Sequence, residues 1–416
     1  MSTSLSSKLK TLGVKVGARE TAPQPAEKAK RLHRYAIENV LPGKIVGNGD
    51  GSCFVVESAY SAAYRHGHTH IHASFTLKAL ARWAQDERIA DCARDCIVFL
   101  DTETTGLAGG TGTLPFMIGV GRFKGDQFQV AQFFMRDPAD EAALLNVLRE
   151  WLAPCQTLVT FNGKAFDLPI VAARYTLHRG AQPLARVAHL DLLPLARRLW
   201  RDRLASRALG SLEQHILGAS RTQQDVPGWL IPSMYFDYLR SGDARPLRGI
   251  FYHNAMDILA MAALLAHVAQ MLDDPLGFAV QHPVDYISLG KLFEDLGEHD
   301  IAAHAYTRGL DAELPPGSFR EGSRRLSYLQ RKRGQHEQAR ALWEEAVKHG
   351  EVYAHVALAK YYEHNAREYA SAERMTLDAI SLVSAPSFPA QERRKVLPDL
   401  QRRLERIWRK QGTAPP

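Results

Sequence analysis

The sequence predicts an α/β domain built on a mixed β-sheet, followed by an all-α region of helical repeats. Three observations carry that expectation. Residues 96–100, Cys-Ile-Val-Phe-Leu, form a continuous apolar run of the kind seen in a strand buried on both faces. The segments after it alternate in period, strand-like over 115–123, 128–134 and 157–161 and helix-like over 140–152 and 168–178, as a sheet with covering helices requires. Beyond Pro283 only helical patterning remains, and it repeats.

The elements follow in order. Residues 1–42 read as a basic arm, rich in Ser, Lys, Ala and Pro at its start. Short apolar runs between glycines over 43–71 indicate a small β element, and 75–93 a helix. The strands 115–123 and 128–134 are separated by a Lys124-Gly125-Asp126 turn. The helix 140–152 carries Ala143, Leu144, Val147, Leu148 and Trp151 at helical spacing. A short strand over 188–193, helices over 195–203 and 209–217, and a long helix over 252–272 close a domain of residues 43–275, with its core at 94–272. Over 280–385, Ala302, Ala339 and Ala372 recur 37 and 33 residues apart, with Tyr306 and Trp343 in register as large partners. That is near the period of about 34 of tetratricopeptide (TPR) repeats, in which a small residue lets paired helices pack closely.

Composition narrows the class. The 416 residues are 45% hydrophobic and 23% charged, which excludes collagen-like, coiled-coil and wholly disordered chains. No run of about 20 apolar residues and no signal-like leader is read, and four scattered cysteines make no disulfide framework. A reduced, cytoplasmic protein is therefore expected. The net charge of +7 is concentrated at the ends: 1–34 carry eight basic and two acidic residues, and 386–416, read as a basic tail, carry eight and three. Such ends attract phosphate backbones.

The chemistry-bearing residues are carboxylates. Asp101 and Glu103 follow the buried run and, two apart on a strand, project to one face. Paired acids repel unless a cation neutralises them, and oxygen ligands select a hard cation such as Mg²⁺ or Mn²⁺. Thr104, Gly106 and Leu107 then begin a glycine-rich stretch that lets backbone approach a ligand. Asn162 and Lys164 lie between a strand end and Asp167, which opens a helix. Asp257 follows His253 by four residues, so the two share a helix face, and His253 is the candidate general base. Four carboxylates, Asp101, Glu103, Asp167 and Asp257, suffice to hold two divalent ions for in-line phosphoryl displacement.

These residues resemble the DEDD (DnaQ-like) 3′–5′ exonuclease superfamily, with its ribonuclease H-like fold. The similarity rests on Phe99 to Leu107, Phe161 to Asp167 and His253 to Asp257, in that order. It is closer still to the YprB-like ribonuclease H-like proteins, which pair that domain with TPR repeats, and extends to Arg221–Gly228 and Pro232–Phe236. The resemblance implies 3′–5′ exonuclease-type hydrolysis of nucleic-acid phosphodiester bonds with Mg²⁺ or Mn²⁺; Asn162, Lys164 and the backbone of Thr104, Gly106 and Leu107 are expected to position the 3′-terminal nucleotide. Superfamily members carry a His five residues before the last Asp, or a Tyr four before; here Tyr252 is five before and His253 four. The alternative function is a non-catalytic nucleic-acid binder, or a scaffold binding a protein through its repeats.

Other features have plainer readings. His66, His68, His70 and His72 alternate as on a polar edge strand, with Cys53 completing an unfavoured zinc alternative. Asp191 reads as a buried capping acid, with substitution for Asp167 as the alternative. Arg197, Arg198, Arg201 and Arg203 form a stripe suited either to phosphates or to solvent.

Overall fold

The computed structural model describes residues 35–48, 51–106, 112–278 and 280–412. Most of the expected basic arm, and Leu107, lie outside the described residues. The end of that arm is docked: the one-turn helix α1 (Ile37–Val40) buries Ile37, and the carbonyl of Tyr35 accepts a hydrogen bond from Ala244 N at 3.0 Å.

Strands β1 (Lys44–Asn48) and β2 (Gly51–Ser61) are not a separate small unit. The run Cys53–Val56 is buried, and it finds cover by joining the main sheet. After the two-residue ribbon β3 (Arg65–His66) and β4 (Thr69–His70) comes α2 (Lys78–Ala84). This helix is shorter than the pattern predicts because Gln85 adopts φ 55° and ends it; short turns at 87–89 and 94–96 complete the segment. Then follow β5 (Ile97–Thr104), β6 (Pro115–Lys124), β7 (Gln127–Phe134), α3 (Glu141–Leu152), β8 (Thr157–Thr160), α4 (Asp167–Leu177), β9 (Ala188–Asp191), α5 (Leu192–Trp200), α6 (Leu209–His215), α7 (Ile231–Ser241) and α8 (Leu247–Asp273).

The sheet has seven strands in the order β1-β2-β7-β6-β5-β8-β9. β5, β8 and β9 are parallel and the other pairs antiparallel, so the sheet is mixed as expected. Alternation along β5 feeds two cores: Ile97 and Phe99 face one, with α2, α5, α6 and most of α8; Val98 and Leu100 face the other, with α3, α4 and α7. α8 belongs to both. Leu247, Ile250 and Phe251 pack in the second core, and Ile258 to Leu272 in the first. By length and composition α8 could cross a membrane, contrary to the sequence reading, yet 78% of its apolar window is buried inside the fold, as befits a core helix.

The remaining helices are α9 (Pro283–Asp295), α10 (His299–Leu310), α11 (Pro316–Lys332), α12 (His336–Lys348), α13 (Val352–Tyr361), a five-residue π turn at 362–366, α14 (Tyr369–Ser384) and α15 (Ala390–Gln411). Ala302, Ala339 and Ala372 are fully buried, and Tyr306 and Trp343 are buried with them. α15 corrects the expected basic tail. Its Leu400, Leu404 and Ile407 recur at helical spacing and are buried, a periodicity that the charge of the segment masks. The arginine stripe is also corrected in part. Arg203 pairs with Asp285 at 2.6 Å and Arg198 donates to the Lys291 carbonyl at 2.7 Å, so both fasten α9 to the α/β domain.

Candidate active site

Asp101 and Glu103 continue the row of Ile97 and Phe99 along β5, on the face covered by α8. Opposite Asp101 in the register stands Gly119 on β6. A Cβ there would lie 2.2 Å from Asn254 Oδ1, and one at Gly121 would lie 2.5 Å from Ile258. The two glycines thus let α8 lie directly on the sheet. That approach brings buried Asn254 to Asp101, where its Nδ2 donates to Oδ2 at 2.8 Å, while Gln132 donates to Asn254 Oδ1 at 3.1 Å. α8 starts earlier than the pattern predicts, so Asp257 is not in its first turn. The favourable dipole of a first helical turn therefore does not account for this acid.

The charges of Asp257 and Asp167 reach both acids of β5. Burial pushes Asp101 well above the ordinary carboxylate range, and the charges of Asp257, Glu103 and Asp167 push further, against the Asn254 hydrogen bond. Burial, then Asp257 and Asp167, raise Glu103 to about 8. Asp167 rises to about 6 through burial, restrained by Thr102, whose hydroxyl donates to its Oδ1 at 2.5 Å. Thr102 points to the sheet face opposite its neighbours, so it ties Asp167 from below.

Around Asp257 the structure assembles residues that the sequence reading did not place there. Arg221 donates to Asp257 Oδ1 and, through Nε, to buried Glu213 at 2.6 Å; Glu213 also contacts His66 Nε2 at 2.7 Å. His253 Nδ1 lies 2.8 Å from Asp225 Oδ1, and its Nε2 lies 3.5 Å from Asp257 Oδ2. A cleft of about 580 Å³ opens beside them, lined also by Gly228. The next residue, Trp229, is 70% exposed. Tyr252 is engaged elsewhere, its hydroxyl accepting from Thr222 N at 3.0 Å.

The other candidates fall as follows. Thr104 is buried and donates to the Gly106 carbonyl at 2.7 Å, closing the end of β5. Asn162 has φ 68°, and its N–H, like that of Lys164, donates to Asp191, at 2.8 and 3.1 Å. Asp191 also caps α5 through Leu193 N, so it serves as the anchor of this turn. Lys164 is exposed, and its charge is felt at His189 and Asp86; Arg221 is the cation set against the acids. The four histidines do not share one strand face. Gly67 turns the chain between β3 and β4, and His66, His70 and His72 go to Glu213, Arg65 and Phe123 respectively.

An oxygen-only set of mutually repelling acids fits a hard dication by its chemistry. The hydrogen bonds to Asp101, Asp167 and Asp257 from Asn254, Thr102 and Arg221 each engage one named carboxylate oxygen. As they stand, however, no three His, Cys, Asp or Glu side chains among the described residues are gathered closely enough to hold a metal ion. Arg221 balances Asp257 in this arrangement.

Residues 98–269, which span the central strand and most of α8, match the RNase_H superfamily. The chain is also 32% identical over 343 residues to a protein of Bacillus subtilis (strain 168), "Uncharacterized protein YprB", covering 80% of this chain and 81% of that one. It belongs to the family of that protein, with an RNase_H superfamily domain. Among solved structures, the family B DNA polymerase of Pyrobaculum calidifontis aligns with a TM-score of 0.33 and 13% identity, over 57% of this chain and 29% of the polymerase.

Proposed function

We propose that the protein is a metal-dependent nuclease, a 3′–5′ exonuclease of the DEDD type acting on DNA or RNA with two Mg²⁺ or Mn²⁺ ions. The observation that carries this reading is that buried Asp101 and Glu103 on β5 are pushed up, after burial itself, by the charges of Asp257 from α8 and Asp167 from α4. The dications, when bound, would supply the Lewis acidity that activates water and steadies the departing 3′-oxygen. His253 takes the water's proton at Nε2, its own ring proton held on Nδ1 by Asp225 at 2.8 Å against the longer 3.3 Å contact of Nδ1 with Arg221 Nη1. Asn254 orients Asp101, and Thr102 orients Asp167. The helices from α9 onward are proposed as TPR-like pairs.

The test uses end-labelled single- and double-stranded DNA and RNA, with Mn²⁺ or EDTA, alongside Asp101→Ala. Metal-dependent loss of label that disappears in the variant is expected. A second reading, a nucleic-acid binder without turnover, draws on the Arg221–Asp257 pair, which neutralises one acid without metal. Equal binding by both forms with no cleavage would select it.

A further inference from the structure

A groove of about 1420 Å³, larger than the cleft beside Asp257, lies among the C-terminal helices, walled by α11, α13 and α15. Its lining holds eight Lys or Arg residues and three acids. Two of those acids are already paired, Glu351 with Arg320 at 2.5 Å and Asp399 with Arg402. Lys360 and Lys395 are exposed, and neither has an acidic partner within 4.0 Å among the described residues.

One wall is built on a buried carboxylate. Glu363 sits on the π turn with its side chain fully buried. It accepts from Arg403 at 2.7 Å, from Arg406 at 2.6 and 2.9 Å, and from Lys410 at 2.9 Å. Three cations on one carboxylate leave an excess of two positive charges along α15; of the three, Arg403 and Arg406 line the groove, and the shared anchor fixes their guanidinium planes. Arg406 spends Nε and Nη2 on Glu363, so Arg403 and Arg406 offer phosphate oxygens a fixed positive charge and their remaining N–H groups. Tyr353, Tyr361 and Phe388 also line the groove, each partly buried against the neighbouring helices, and aromatic walls beside a cationic track stack unpaired bases.

We propose that this groove binds a single-stranded nucleic acid, its phosphates against the α13 and α15 cations and its bases toward the aromatic side chains. An acidic peptide would satisfy the charge but would leave the aromatic wall without a stacking partner. The inference deepens the nuclease reading by adding a strand-holding site to it, and rests on that reading for its choice of ligand.

The experiment uses the full chain in EDTA, where no cleavage competes, with fluorescein-labelled oligo-dT and oligo-U read by anisotropy across a salt series. The double variant Lys360→Glu/Lys395→Glu changes two exposed side chains and should fold, as its melting curve will report. Its affinity is expected to fall roughly tenfold or more, and the slope of log affinity against log salt to fall by about 1.4, or about 0.7 per lost phosphate contact. A 4-thiouridine oligomer is expected to cross-link to peptides containing Tyr361 or Phe388. Wild-type binding by the double variant, or cross-links confined to 98–269, would overturn the proposal while leaving the nuclease reading intact. Absent cleavage with groove binding retained would do the reverse. Labelled poly-glutamate bound in place of the oligomers, and lost in the double variant, would also overturn it in favour of an acidic protein partner.

Discussion

In the proposed mechanism His253 and Asp225 act as a pair, and the proton between them makes the pair testable. Asp225 can only accept from Nδ1, and at 2.8 Å it is nearer than the Arg221 Nη1 donor at 3.3 Å, which leaves Nε2 to take a proton. Asp225→Asn offers an N–H to Nδ1 instead and moves the imidazole proton to Nε2. It is therefore expected to lower kcat almost as far as His253→Ala, on the order of 10²–10⁴-fold, with KM little changed. Asp225→Ala, which leaves the tautomer free, should retain more activity than Asp225→Asn; single-turnover cleavage of a labelled oligonucleotide decides, and the reverse order would sink the orienting role. Trp229, exposed beside Gly228 of the cleft, makes a second prediction. Trp229→Ala should weaken single-strand binding by about 1–3 kcal/mol, and Trp229→Tyr should recover most of it. The acids were legible in the sequence because each adjoins the apolar run of a periodic element. Arg221 and Asp225 sit in a polar loop near Pro227 and Gly228, where no period assigns a side chain to a face; the only signal there was the resemblance.

At the scale of elements, the seating of α8 on β6 governs the site. Gly119→Ala would drive a methyl into Asn254, so a loss of roughly 1–3 kcal/mol is expected in urea melts. Because Asn254 holds Asp101, cleavage should fall even at temperatures where the variant is folded; a stable Gly119→Ala with full activity would refute this. α8 also carries His267, buried among Trp200, His68 and Phe278. Burial, with the nearby charges of His68 and Arg203, lowers it to about 4. A depressed histidine contributes stability that is complete above the unfolded value of about 6.5 and is lost as pH falls through 4. His267→Phe should therefore reduce the drop in Tm between pH 7 and pH 4.5. The raised acids Glu103 and Asp167 work in the opposite sense, losing stability as pH climbs through 6 to 8, and cancel when variant and wild type are compared. The strands and helices of the domain were largely readable from period alone. The start of α8 was not, since Leu247 to Phe251 pack in a different core from the rest of the helix, and no single stripe runs its length.

Across the whole molecule, the α/β domain and the first C-terminal helices share one apolar cluster, running from Ile71 to Leu329. Lys291–Asp202 and Arg203–Asp285, each at 2.6 Å, flank that shared surface. Removing residues 280–416 should therefore yield insoluble protein, scored as the soluble fraction after expression; a soluble, cooperatively melting 35–278 fragment would contradict it. This continuity was hidden in the sequence, where Pro283 marks a change of class and reads as a boundary, while the apolar residues that bridge it belong to patterns on either side. The span of α8 across both cores carries a further corollary. Its amides should exchange with deuterium only through global opening, so heat inactivation and loss of ellipticity should trace one superimposable curve, with no native-looking but inert species between them.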